Sequence, residues 1–130
     1  MTDPVYDDAF VAAAATAFLD AARFGEVDED GDPYDGLKYV RHEFSPAAVE
    51  AARERVRDFL AYDGVAAAVQ EAELFPSAVG HDLYLTGARH GTGFWDRGLP
   101  GRTGAVLTAA AHTFGGADVR TGAPRILEWS

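Results

Sequence analysis

The sequence predicts an α+β fold: N-terminal helices packed on a small antiparallel sheet whose two hairpins flank a C-terminal helix. Three observations lead there. Apolar residues recur at helical spacing through most of the first seventy-five positions, the period turns to alternation after Gly80, and glycine- and aspartate-rich turns separate the later segments. The 130 residues fit one domain, 1–130, with no internal repeat. A chain of that length buries roughly 65% of its unfolded surface, so it folds without a disulfide or a metal. Its 48% hydrophobic and 12% aromatic content excludes a disordered chain.

Each element has its own signal. Asp3-Pro4 reads as a helix start, a carboxylate capping free amides with proline at the first helical position. From Val5 to Phe24, the residues Tyr6, Phe10, Ala13, Ala17, Ala21 and Phe24 keep helical spacing, and Val11 and Phe18 widen the stripe into that of a buried central helix. Gly25 to Gly36, with Asp30-Gly31-Asp32-Pro33, is a turn-rich loop. The second helix is the best marked. Ser45 caps it, Pro46 opens it, and Phe44 with Val49 forms a hydrophobic staple. Val49, Ala52, Val56, Phe59 and Leu60 make its inner stripe; Glu50, Arg53, Glu54, Arg55, Arg57 and Asp58 make a solvated face. Asp63-Gly64 stops it, and Val65 to Leu74 is a shorter helix ended by Phe75-Pro76-Ser77.

After Gly80, Leu83 and Leu85 alternate with Asp82 and Tyr84, which predicts a strand over 81–86. Gly87 to Gly93 is its loop and Phe94 to Arg97 the returning strand. Gly98 to Gly104 turns the chain, Ala105 to Phe114 is a last helix ended by Gly115-Gly116, and Ala117–Arg120 with Arg125–Trp129 forms a second hairpin around Thr121-Gly122.

Charge narrows the function. Eleven basic and twenty-one acidic side chains give a net −10. Residues 1–36 hold ten acids against Arg23 alone, a net −9, so the acidity belongs to the N-terminal third. Non-specific nucleic-acid binding is not expected, because it requires phosphate neutralisation. No apolar run approaches the ~20 residues of a membrane span. The acidic N-terminus does not read as a secretion signal, and a cytoplasmic location is expected. Cysteine is absent, so there is no thiol nucleophile and no Cys-based zinc site.

Chemistry is densest between His81 and Gly98. If two strands pair there, His90, Asp96 and Arg97 approach one another, fit for acid–base work or for gripping an anion. The competing reading is structural, with glycines supplying positive φ and Phe94-Trp95 serving as sheet-face material. His81, His90 and His112 lack the spacing of a metal site, and no HExxH is present. His112 reads as a C-terminal helix residue favoured by the dipole. Asp28, Asp30 and Asp32 fall at the positions of a calcium loop, but Pro33 stands where glycine is required and Tyr39 where the bidentate glutamate belongs. Gly91-Thr92-Gly93 is not a phosphate loop, and no Gly-x-Ser-x-Gly is present. No metal and no cofactor are expected.

The run Gly80-His81-Asp82-Leu83-Tyr84-Leu85-Thr86, followed by His90-Gly91-Thr92-Gly93-Phe94-Trp95-Asp96-Arg97-Gly98, resembles a family of small proteins carried by tailed bacteriophages and prophages. The resemblance extends to Phe44-Ser45-Pro46, similar to the family's helix start, and to Leu107-Thr108-Ala109-Ala110-Ala111. It departs at Gly87-Ala88-Arg89, where family members usually carry Arg-Asn-Gly, and in the last hairpin at Arg120, Pro124 and Arg125. The resemblance implies a viral origin and an accessory role in the infected host cell, and no reaction.

These readings converge on a non-catalytic protein that binds a host or phage macromolecule. Two surfaces are candidates. One is the motif segment, with Tyr84, Arg89, His90, Phe94, Trp95, Asp96 and Arg97, rich in the residue types that anchor interfaces. The other is the acidic face of Asp28, Glu29, Asp30, Asp32 and Asp35, which would steer towards a basic partner such as a nucleic-acid-binding host protein. The alternative is a small-molecule or nucleotide binder, or a small enzyme, using His81, His90, Asp96 and Arg97.

Overall fold

The computed structural model describes residues 4–90 and 93–130. The predicted cap Asp3 and the loop residues Gly91 and Thr92 lie outside that range. Within it the chain is α+β, with five α-helices and one three-stranded sheet.

Helix α1 runs Asp8–Gly25 and is capped by Asp7, whose Oδ1 accepts from Phe10 N at 2.8 Å. Its buried stripe, with Val11, Ala14, Phe18 and Ala22, makes it the central helix that its apolar spacing predicts. The loop after it is not held by its acids alone. The Arg23 guanidinium donates to the carbonyls of Tyr34 (2.7 Å), Tyr39 (2.5 Å) and His42 (2.9 Å), so one arginine closes the whole segment. Strand β1 (Glu43–Phe44) leads into α2 (Pro46–Ala61) through the predicted cap, with Ala48 N donating to Ser45 Oγ at 3.0 Å. Phe44 and Val49 pack partly buried on the core. Gly64, at φ +82°, separates α2 from α3 (Val65–Glu71).

One residue of the predicted solvated face turns inward. Arg55 is half-buried, donates to Gly116 O at 3.0 Å, and stands 4.9 Å above the Trp129 ring. Its long stem covers apolar surface while its head satisfies carbonyls left free by a helix end.

The first predicted hairpin is absent. Residues Pro76–Gly87 form helix α4, and Phe94–Arg97 form a turn of 3-10 helix. Pro76, read as the end of α3, opens α4 at its first position, where a missing N–H costs nothing. Alternation misled because Asp82, Leu83, Tyr84 and Thr86 are all buried. A helix covered on several sides loses the one-faced pattern by which helices are recognised.

Helix α5 (Thr103–Phe114) precedes the second predicted hairpin, which is present as β2 (Val119–Thr121) and β3 (Ile126–Trp129). The sheet is mixed, not purely antiparallel. Its order is β1-β3-β2, with β3 antiparallel to β2 and parallel to β1. Trp129 ties sheet to helices, its Nε1 donating to Ala48 O at 2.9 Å and its ring lying 5.2 Å from Phe18. The core lies between α1, α4, α2 and β3; each of the fully buried Phe18, Phe59, Leu83 and Leu127 contributes roughly 1.5–3 kcal/mol there.

Candidate functional site

The motif segment is built around α4. At Gly80 the helix meets α1 so closely that a Cβ would lie 1.8 Å from the Ala14 carbonyl oxygen, so only glycine allows the crossing. Beyond Gly80, through Asp82 and Thr86, the same helix holds the segment that follows Gly93. Asp82 is 3% exposed, and its carboxylate takes both Nε and, at 3.2 Å, an Nη of Arg97. This is the forked geometry in which guanidinium and carboxylate bind most strongly, and it holds the Arg97 guanidinium above its ordinary pKa. Thr86 Oγ1 accepts from Phe94 N at 3.2 Å. Gly93 sits at φ +121° with its α-carbon tight against that hydroxyl, a conformation and a space that exclude a side chain. Phe94 then stacks on Phe59, centroids 5.7 Å apart.

These contacts redistribute the predicted binding residues. Tyr84 and Phe94 are fully buried and belong to the core, which removes them as contact residues. The Tyr84 hydroxyl donates to Glu26 Oε2 at 2.5 Å and lies 3.3 Å from His90 Nε2. Its pKa is raised, first by burial, then by the hydrogen bond to Glu26 and the charges of Glu26 and Asp118. Arg97 is committed to Asp82. Arg89 is exposed at φ +60°, and His90 and Asp96 are exposed. Unlike Tyr84 and Phe94, Trp95 has 72% of its surface open to water.

The proposed acid–base set does not assemble as one group. His81 Nδ1 lies 3.8 Å from Asp82 Oδ1, beside Arg97, whereas His90 turns to Tyr84 and Glu26. No hydrogen bond or ion pair among the described residues joins His90 to Asp96 or Arg97. A cleft of ≈ 450 Å³ lies between α1 and the start of α4, lined by Ala17, Asp20, Phe75, Ala78, His81 and Arg97. Phe75 at its rim is 76% exposed. Sequence reasoning passed over Phe75 because Phe-Pro read as a helix end; the signal that finds it is the same proline, which opens the next helix.

The acidic face is partly neutralised from within. The Lys38 ammonium lies 2.5 Å from Asp28 Oδ2, 3.4 Å from Asp30 and 3.5 Å from Asp32. Asp28 also accepts the Tyr39 hydroxyl (2.6 Å) and the amides of Asp30 and Asp32 (2.9 Å each), and its carboxyl is held well below the usual range by Lys38 first and Tyr39 second. The three carboxylates approach closely enough to hold a cation, and the lysine supplies the positive charge at that place. Asp28 is therefore a loop-building residue. Glu29 and Asp35 are exposed.

No helix among the described residues is long and apolar enough to cross a membrane. Comparison of the chain with protein-family models, with curated proteins and with solved structures gives no match.

Proposed function

We propose that the chain is a non-catalytic binding protein, an accessory protein of a tailed phage acting in the host cytoplasm, and that it engages a protein partner through the face carrying Trp95. One observation carries this reading. Of Tyr84, Phe94 and Trp95, the first two are fully buried in the core, whereas Trp95 is 72% exposed and its indole makes no hydrogen bond among the described residues. A tryptophan open to water loses apolar stabilisation, and tryptophan is among the residues that most often anchor protein interfaces. Trp95 lines a shallow hollow with Phe94, Gly98, Leu99, Gly101, Gly104 and Ala105, which gives that face its shape. The phage assignment rests on the motif resemblance.

The test compares the wild type with Trp95→Ala, both immobilised and exposed to host extract. A partner retained by the wild type and lost by the equally folded variant supports the reading. Equal retention by both, or no retention above background by either, refutes it.

A further inference from the structure

A second cleft, of ≈ 330 Å³, opens on another part of the molecule, where Glu26, Gly87, His90, Gly116, Asp118 and Ser130 come together. None of these was singled out by the charge pattern or by the motif as a ligand site, apart from His90. Close packing makes the place. A Cβ at Gly87 would lie 2.1 Å from Gly115 O, so the C-terminal ends of α4 and α5 abut there. Each end carries about half a negative charge. The fold already places one guanidinium on these carbonyls from behind, since Arg55 donates to Gly115 O and Gly116 O. The Ser130 hydroxyl accepts from Arg120 Nη at 3.1 Å.

Both Asp/Glu side chains of the cleft, Glu26 and Asp118, face it without a lysine or arginine among its lining residues. The single Tyr84 hydroxyl proton goes to Glu26, so towards His90 the phenol oxygen can only accept. Nε2 of His90 therefore carries the proton directed at that oxygen. One oxygen of Glu26 is taken by Tyr84 and the other is not. Every ion pair that Lys or Arg forms among the described residues goes to Asp28, Asp30, Asp32, Glu50 or Asp82, and none to Glu26 or Asp118. The cleft therefore presents two carboxylates that no Lys or Arg among the described residues pairs with, and the complementary group is a cation. Lysine ammonium and arginine guanidinium are such groups. A metal ion fits less well, because the only carboxylate or histidine set close enough to hold one among the described residues is Asp28, Asp30 and Asp32.

We infer that the cleft between the ends of α4 and α5, walled by Glu26, His90 and Asp118, receives the side-chain cation of a lysine or arginine on a partner protein. The site is separate from the Trp95 face and does not depend on it.

Acetyl-arginine amide is the probe, with acetyl-norleucine amide as its uncharged counterpart and spermidine as a free polyamine. The readout is the NMR signal of the His90 ring in the full chain, identified with His90→Gln. A saturable shift is expected with the arginine amide at millimolar concentration, none with the norleucine amide, and weaker binding of spermidine. Asp118→Asn, at an exposed position, is expected to weaken binding about tenfold, the loss of one charge-assisted hydrogen bond. Trp95→Ala is expected to bind as the wild type does, so failure here and failure of the Trp95 face are told apart. Absence of a saturable shift, an equal response to norleucine amide, unchanged affinity in Asp118→Asn, or preference for spermidine would each overturn the inference.

Discussion

Adjacent residues Phe94 and Trp95 are expected to answer truncation in opposite ways. Phe94 is fully buried and stacked on Phe59, with Thr86 holding its amide. Phe94→Ala removes an aromatic ring from a packed core and is expected to cost about 3–5 kcal/mol. Trp95 is 72% exposed, so only about a quarter of its surface, roughly 60 Å², leaves water on folding. At ~25 cal/mol per Å² that burial stabilises by at most about 1.5 kcal/mol. Urea unfolding followed by circular dichroism separates the two, because the midpoint falls in proportion to lost stability at constant slope. A Trp95→Ala loss as large as that of Phe94→Ala would show that the indole packs. The argument for Trp95 as a contact residue would then fail, whatever binding measurements showed.

Two further outcomes follow from the same geometry. Gly80→Ala places a methyl group against the Ala14 carbonyl and must separate α1 from α4; a loss of about 3 kcal/mol or more is expected by urea unfolding, and a neutral effect would contradict the close crossing. The Asp28 loop is expected to resist acid. A carboxyl whose folded pKa is depressed adds stability above its unfolded value, about 3.9, and loses it only as pH falls through the lower folded value. Tyr39 ring signals should therefore stay native through about pH 4 in the wild type, and Lys38→Met should move their change upward towards the ordinary carboxylate range. Identical acid transitions in both proteins would remove Lys38 from its assigned part.

What was legible in the sequence was local. The Ser45-Pro46 start of α2, its stop at Asp63-Gly64, and the hairpin around Thr121-Gly122 are each set by residues within a few positions, and each is present. The segment 81–97 was misread because its pattern answers to distant partners. Asp82 is buried on account of Arg97, Gly80 is required by Ala14, and Tyr84 is held by Glu26, 58 residues away. The helical signal was nonetheless there, in Pro76 and in Val79 and Leu83 four apart. Among the candidate residues, the sequence found Trp95 and His90 but could not tell exposed from buried aromatics, since Phe94, Trp95 and Tyr84 differ little in kind. Glu26 and Asp118 carried no signal, because each gains its place only when β2 and the loop after α1 come beside the end of α4.

The sheet's strand order bears on the sequence of events in folding. Its middle strand, β3, must find β1, so residue 126 meets residue 43, and the Trp129 indole reaches a carbonyl 81 residues away. Closing so long a loop costs entropy before any contact repays it, whereas α1, α2 and α4 form from near neighbours. The individual helices are thus expected to form first, with Phe18 on α1 and the Ala48 carbonyl on α2 as the seat that Trp129 later meets. Trp129 then acts as a latch that closes late, and substitutions at it should speed unfolding more than they slow folding.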